Sequence, residues 1–89
     1  MKSILQNEKR CFLCVSTQNL ELHHCIHGVA NRKIADREGL TVWLCHSCHS
    51  KVHDSDRELD LKLIQFAQSV YESKHSREEF RALFGKSWL

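Results

Sequence analysis

Cys45-His46-Ser47-Cys48-His49-Ser50-Lys51-Val52-His53 packs two kinds of metal ligand into nine residues. Cys45 and Cys48 form one Cys-x2-Cys half of a tetrahedral zinc site, and His49 and His53 stand four residues apart. A helix from about His46 onward places both imidazoles on one face, one turn apart, with ring nitrogens able to converge on a single ion. Two other parts of the chain complete this stretch. Cys11-Phe12-Leu13-Cys14 reads as a zinc knuckle that supplies the second cysteine pair, and His23-His24 supplies further imidazoles. Cys11, Cys14, Cys45 and Cys48 are therefore expected to hold a structural Zn2+.

Eighty-nine residues make a single domain, 1–89, and a chain of this length buries only about 60–65% of its unfolded surface. Its apolar core alone is marginal. Closing a structural zinc site contributes about 10–16 kcal/mol of apparent binding free energy, comparable to the net stability of a whole domain. Five cysteines, four of them in Cys-x2-Cys pairs, and no apolar signal segment over residues 1–10 point to metal ligation in a reducing, cytoplasmic interior rather than to disulfides. No run approaches the roughly 18 apolar residues of a membrane span, which predicts a soluble chain with no membrane partner. The net charge of +2 is unevenly spread, with seven basic against four acidic residues up to His53 and six against seven beyond it. The basic excess lies with the metal ligands, where a phosphate backbone would approach. An ordinary solvated surface would carry the same balance.

Residues 1–10 are short and polar and predict no more than one helical turn. Asn19 to His23 alternates polar and apolar residues, as a half-buried strand does. On such a strand His23 and His24 face opposite sides, so that one imidazole can bind a metal while the other stays free to take a proton. Cys25 to Gly39 reads as a polar loop carrying Asn31, Arg32, Lys33 and Arg37, with Cys25 a small buried residue and His27 facing solvent, as do His46 and His75. Leu40 to Leu44 is β-branched and apolar, a second strand running straight into Cys45. Two strands and a short metal-bearing helix make a ββα unit, and zinc would tie Cys14 to Cys45 across the 30 residues between them.

Beyond His53 the pattern is helical. Ser55 with Glu58 fits a capping box, and Leu59, Leu63, Phe66, Ala67 and Val70 recur at helical spacing, widened by Ile64 and Tyr71. Ser76 with Glu79 repeats the device for a shorter helix bearing Phe80, Leu83 and Phe84, which Gly85 would end. These stripes are expected to be core.

Cys-x2-Cys, a His-His dyad after a strand, and Leu-Cys-x2-Cys-His-x3-His, in that order, resemble the HNH endonucleases of the ββα-metal (His-Me finger) type, zinc-knuckle subgroup. The resemblance covers residues 11–53. A narrower similarity, from His23-His24 through Arg32-Lys33 to Leu44-Cys45, is to small phage-borne nucleases, including the RecA-dependent recombination-enhancement group. The resemblance implies an α+β fold in which a zinc-stabilised ββα-metal unit, 11–53, is covered by the C-terminal helices of 55–89. It implies that His24 is the general base and that His23, His49 and His53 hold a catalytic divalent metal for hydrolysing DNA to 5′-phosphate and 3′-hydroxyl ends. The chemistry agrees with these roles, because a phosphodiester repels nucleophiles until a cation neutralises it, and imidazole titrates near neutral pH. Three imidazoles favour Zn2+, Ni2+, Co2+ or Mn2+ over Mg2+. Arg32, Lys33, Arg37 and Lys51 are the expected phosphate contacts.

The sequence departs from the family at Leu40, nine residues before His49, where an asparagine usually orients the base-bearing loop; Thr41 and Asn31 are the nearest replacements. The alternative is a zinc-stabilised nucleic-acid-binding or interaction module with weak or no catalysis. Four histidines at nuclease spacing favour the enzyme, since a scaffold needs only the cysteines. No recognition helix stands out, so DNA specificity would come from a protein partner, from a DNA structure such as a nick or a recombination filament, or from a dimer.

Overall fold

The alternating and β-branched stretches form two short strands, β1 (Leu20–His24) and β2 (Thr41–Cys45). They pair antiparallel with Leu22 opposite Trp43, His23 opposite Val42 and His24 opposite Thr41. The computed structural model, which describes residues 3 to 89, adds four helices to this two-stranded sheet: α1 (Val29–Glu38), α2 (His46–Asp54), α3 (Arg57–Glu72) and α4 (Arg77–Phe84). The chain is thus a small α+β fold. Among the described residues no helix is long and apolar enough to cross a membrane.

The expected loop between the strands is largely the helix α1, which corrects the reading of Cys25–Gly39. Its apolar periodicity is weak because Ala35 alone is fully buried, yet its alanines, arginines, lysine and glutamate are good helix formers. Gly39 ends it in the left-handed region at φ 75°, and Leu40 N–H reaches back to the Ala35 carbonyl at 2.8 Å, a Schellman closure that a polar, glycine-flanked stretch does not announce. At the other end Gly28 has φ 108° and ψ 146°, a conformation only glycine adopts readily. The chain turns there from β1 into α1.

Residues 3–16 lie along the open edge of β2. Ser3 Oγ donates to the Thr41 carbonyl at 2.5 Å, Trp43 N–H donates to Gln6 Oε1 at 2.8 Å, and Phe12 N–H donates to the Trp43 carbonyl at 2.8 Å. This strap satisfies backbone groups that an unprotected edge would leave open to another chain. Met1 and Lys2 fall outside the described residues.

The helical stripes beyond His53 are core, with two corrections. Asp56, not Ser55, caps α3, its carboxylate accepting from Leu59 N–H at 2.9 Å. Phe66 and Val70 are only partly covered, whereas Gln68 is fully buried. Its amide is spent on Glu72, Ser87 and the Trp88 N–H, so a polar side chain is hidden at no hydrogen-bond deficit. α4 forms as read, with a reciprocal Ser76–Glu79 capping box and Gly85 closing it. Phe80 is wholly buried against Tyr71, Phe84 and Trp88. Phe80→Ala is expected to cost about 3–5 kcal/mol in urea unfolding; a loss under about 1 kcal/mol would place this ring outside the cooperative core.

Candidate metal centres

The two cysteine pairs come from the strap and from the β2–α2 junction, and their four Sγ atoms lie within 4.8 Å of one another. Cys14 Sγ and Cys45 Sγ are 3.6 Å apart and all five cysteines are free. That separation is far beyond a disulfide bond and close to the about 3.8 Å that tetrahedral Zn–S bonds require. The knuckle turn is set by Val15 N–H on the Cys11 carbonyl and by Cys14 N–H on Cys11 Sγ. Crowding decides the acidity of the thiols. Burial raises Cys11, but backbone hydrogen bonds around Cys45, Cys14 and Leu13 outweigh it and bring the thiol down to about 6. Cys48 is pushed up to about 12 by burial and by its three thiol neighbours. This set can hold a metal such as zinc, and loading it displaces protons, so apparent affinity rises with pH.

The histidines gather on the other side of β1. His23 is 1% exposed, and neither ring nitrogen has a hydrogen-bond partner among the described residues. One of its ring nitrogens lies within 4.8 Å of a ring nitrogen of His49 and of His53 on α2. The i, i+4 pair converges as its spacing requires, with the two Nε2 atoms 3.0 Å apart, against the about 3.3 Å expected of two nitrogens on one tetrahedral ion. His49 Nδ1–H donates to Glu21 Oε1 at 2.7 Å, which fixes the tautomer and leaves Nε2 as the lone-pair side. Glu21 also accepts from His46 Nδ1 at 2.9 Å, and these two imidazoles, His49 first, hold its carboxyl below the usual range. A buried imidazole with two orphan nitrogens beside two convergent ones is what a divalent cation would satisfy.

Burial, and then the neighbouring His27, His49, His53 and His24, push His23 down to about 3. The folded ring is therefore neutral where an unfolded histidine takes a proton. With the histidine site empty of metal, stability is expected to be complete above about pH 6.5 and to fall as pH drops toward 3. A pH series of denaturant melts checks this, and a flat profile across that window would contradict it.

His24 sits at the rim of a cleft of about 360 Å3 lined also by His27, Arg32, His49 and His53. Its side chain is 18% exposed, and Asp36 Oδ1 stands 3.7 Å from Nε2, too long for a hydrogen bond. No family model, no curated protein and no solved structure matches this chain. Arg32 lines the cleft and Lys33 the adjoining groove beside His24 and Asp36. Arg37 turns instead to Glu38, and Lys51 is exposed on α2; neither lines these two grooves.

Three residues of this region escaped the sequence reading. His27, expected in solvent, is half-buried and bonded through Nε2 to Asp60 Oδ1 at 2.7 Å. Glu21 had a signal, since it lies two residues before His23 and so on the same strand face. Asp60 had none, being 33 positions from its partner.

Proposed function

We propose that the chain is a metal-dependent endonuclease of the HNH type that hydrolyses DNA phosphodiester bonds from a zinc-stabilised ββα-metal unit. The observation that carries this reading is His23, buried with both nitrogens unpartnered and joined by His49 and His53 below a cleft edged by His24 and Arg32. His23, His49 and His53 would hold a divalent cation, which when bound would supply positive charge against the phosphodiester and the departing oxygen. His24 takes a proton from the attacking water as the new P–O bond forms and the bond to the 3′ oxygen breaks, and the departing oxygen takes a proton from solvent, leaving 5′-phosphate and 3′-hydroxyl ends. Asp36 is near enough to steady the imidazolium once the proton has moved. Arg32 and Lys33 bind the phosphates on either side, and Glu21 keeps His49 in the ligating tautomer. Asn31 Nδ2 donates to the His27 carbonyl at 2.9 Å, tying down the turn that follows His24.

One observation favours the second reading, a module that binds nucleic acid without cutting it. Leu40 is fully buried and its side chain offers no hydrogen bond where the family resemblance places an asparagine. Protein stripped of weakly held metal, added to supercoiled plasmid and to single-stranded DNA with Mg2+, Mn2+, Co2+, Ni2+ or Zn2+ in turn, separates the two. Nicking with at least one ion is expected. Salt-dependent DNA binding with no cutting under any ion would overturn the nuclease reading in favour of the module.

A further inference from the structure

His23 belongs to two groups of ligands, and only one of them serves the proposed reaction. Its ring, the His27 ring and the Asp60 carboxylate also offer ligand atoms that all lie within 4.8 Å of one another. We propose that His23, His27 and Asp60 form a second divalent-cation site, separate from His49 and His53, that joins β1 to α3.

The orphan nitrogens of His23 are the first argument. An ion on one ring nitrogen leaves the other, an N–H in the neutral ring, buried without an acceptor, where a metal-bound imidazole normally gives it to a carboxylate, a carbonyl or water. A second cation takes that nitrogen as its proton passes to solvent, and with the His49–His53 group empty His23 offers its lone pair directly. His49 does so with Glu21; His23 has no such partner. What lies beside it is the His27–Asp60 pair, outside hydrogen-bond reach yet with ligand atoms within 4.8 Å, so that a cation between them needs only a small inward shift to reach ligand bonds of about 2.0–2.2 Å.

The second argument is the donor set and its access. Two imidazoles and one carboxylate suit Zn2+, Co2+ or Mn2+. His27 Nε2 and Asp60 Oδ1 already touch at 2.7 Å. A groove of about 700 Å3 lined by His27, Asp60, Arg57 and Glu58 opens onto them, giving the ion an entry path and room for water at its remaining positions. Asp60 comes from the first turn of α3, so a filled site would make that helix part of the metal centre. The site needs no nuclease activity and would hold in a chain that does not cut DNA.

The test removes the other group. The full chain carrying zinc on its cysteines and the substitutions His49→Ala and His53→Ala is titrated with Co2+, followed by visible absorption and by native mass spectrometry. His53→Ala alone, at an exposed position, is the variant that preserves the fold if the double substitution does not. One Co2+ per chain beyond the zinc is expected, with nitrogen–oxygen ligand-field bands, no thiolate charge transfer, and a raised melting midpoint. Adding Asp60→Asn or His27→Gln should weaken that binding about tenfold or more. No Co2+ beyond the zinc, or binding that both added substitutions leave unchanged, would overturn the site.

Discussion

His24→Ala should lower DNA cleavage by about 10^2 to 10^4-fold, the range that a positioned general base contributes, while zinc content and stability stay as they are. The separation follows from where the side chain sits. His24 lies outside both histidine ligand groups and outside the cysteine cluster, and its ring lines a cleft rather than the core. Truncating it opens the cleft by a few atoms and leaves no buried group without a partner, so the change in folding free energy should stay within about 1 kcal/mol. His53→Ala should instead lose cutting together with affinity for the added ion. Single-turnover cleavage, metal analysis and a thermal melt on the same preparations separate these outcomes. Undiminished cutting by His24→Ala would remove this residue from the reaction.

Withholding metal from the four-cysteine cluster should have the largest effect on the fold. Cys11 is wholly buried and Cys45 nearly so, and their pairs join the strap over residues 3–16 to the junction of β2 and α2. Without an ion, four thiols remain packed within 4.8 Å, and the strap is left with its hydrogen bonds to β2 and the packing of Leu5, Phe12 and Leu13 on the core. Structural zinc contributes about 10–16 kcal/mol of apparent binding free energy, and a domain's net stability is about 5–15 kcal/mol. Chelation, or Cys11→Ser, is therefore expected to leave the chain without a cooperative thermal transition at 25 °C and above. Circular dichroism before and after chelation, with zinc added back, reads this out. An unchanged melting midpoint in zinc-free protein would mean that the helices hold the fold unaided.

How far the sequence reaches can be judged from particular elements. Strands around Leu20–His24 and Thr41–Cys45 were legible because their alternation and β-branching are local, and the Ser76–Glu79 box was legible because both of its hydrogen bonds span three residues. α1 was not, since its helical character rests on propensity and a Schellman closure at Gly39 rather than on an apolar stripe. The α3 cap was misplaced by one residue because Ser55 and Asp56 are both competent caps, and the side chain that reached Leu59 N–H decided between them.

The same division runs through the site. The sequence by itself determined the cysteine ligands and the ligand neighbours along one element: Cys-x2-Cys on a turn, and His49 and His53 on one helix face. Spacing settles such relations because a helix or strand repeats every 3.6 or two residues. Only the tertiary structure brought Glu21 to His49 across 28 positions and His27 to Asp60 across 33, and only it left both nitrogens of His23 buried without a partner. Those contacts depend on how α2 packs on β1 and α3 on α2, with Val52 of α2 and Leu63, Ile64 and Ala67 of α3 buried in the shared core, not on any period in the chain.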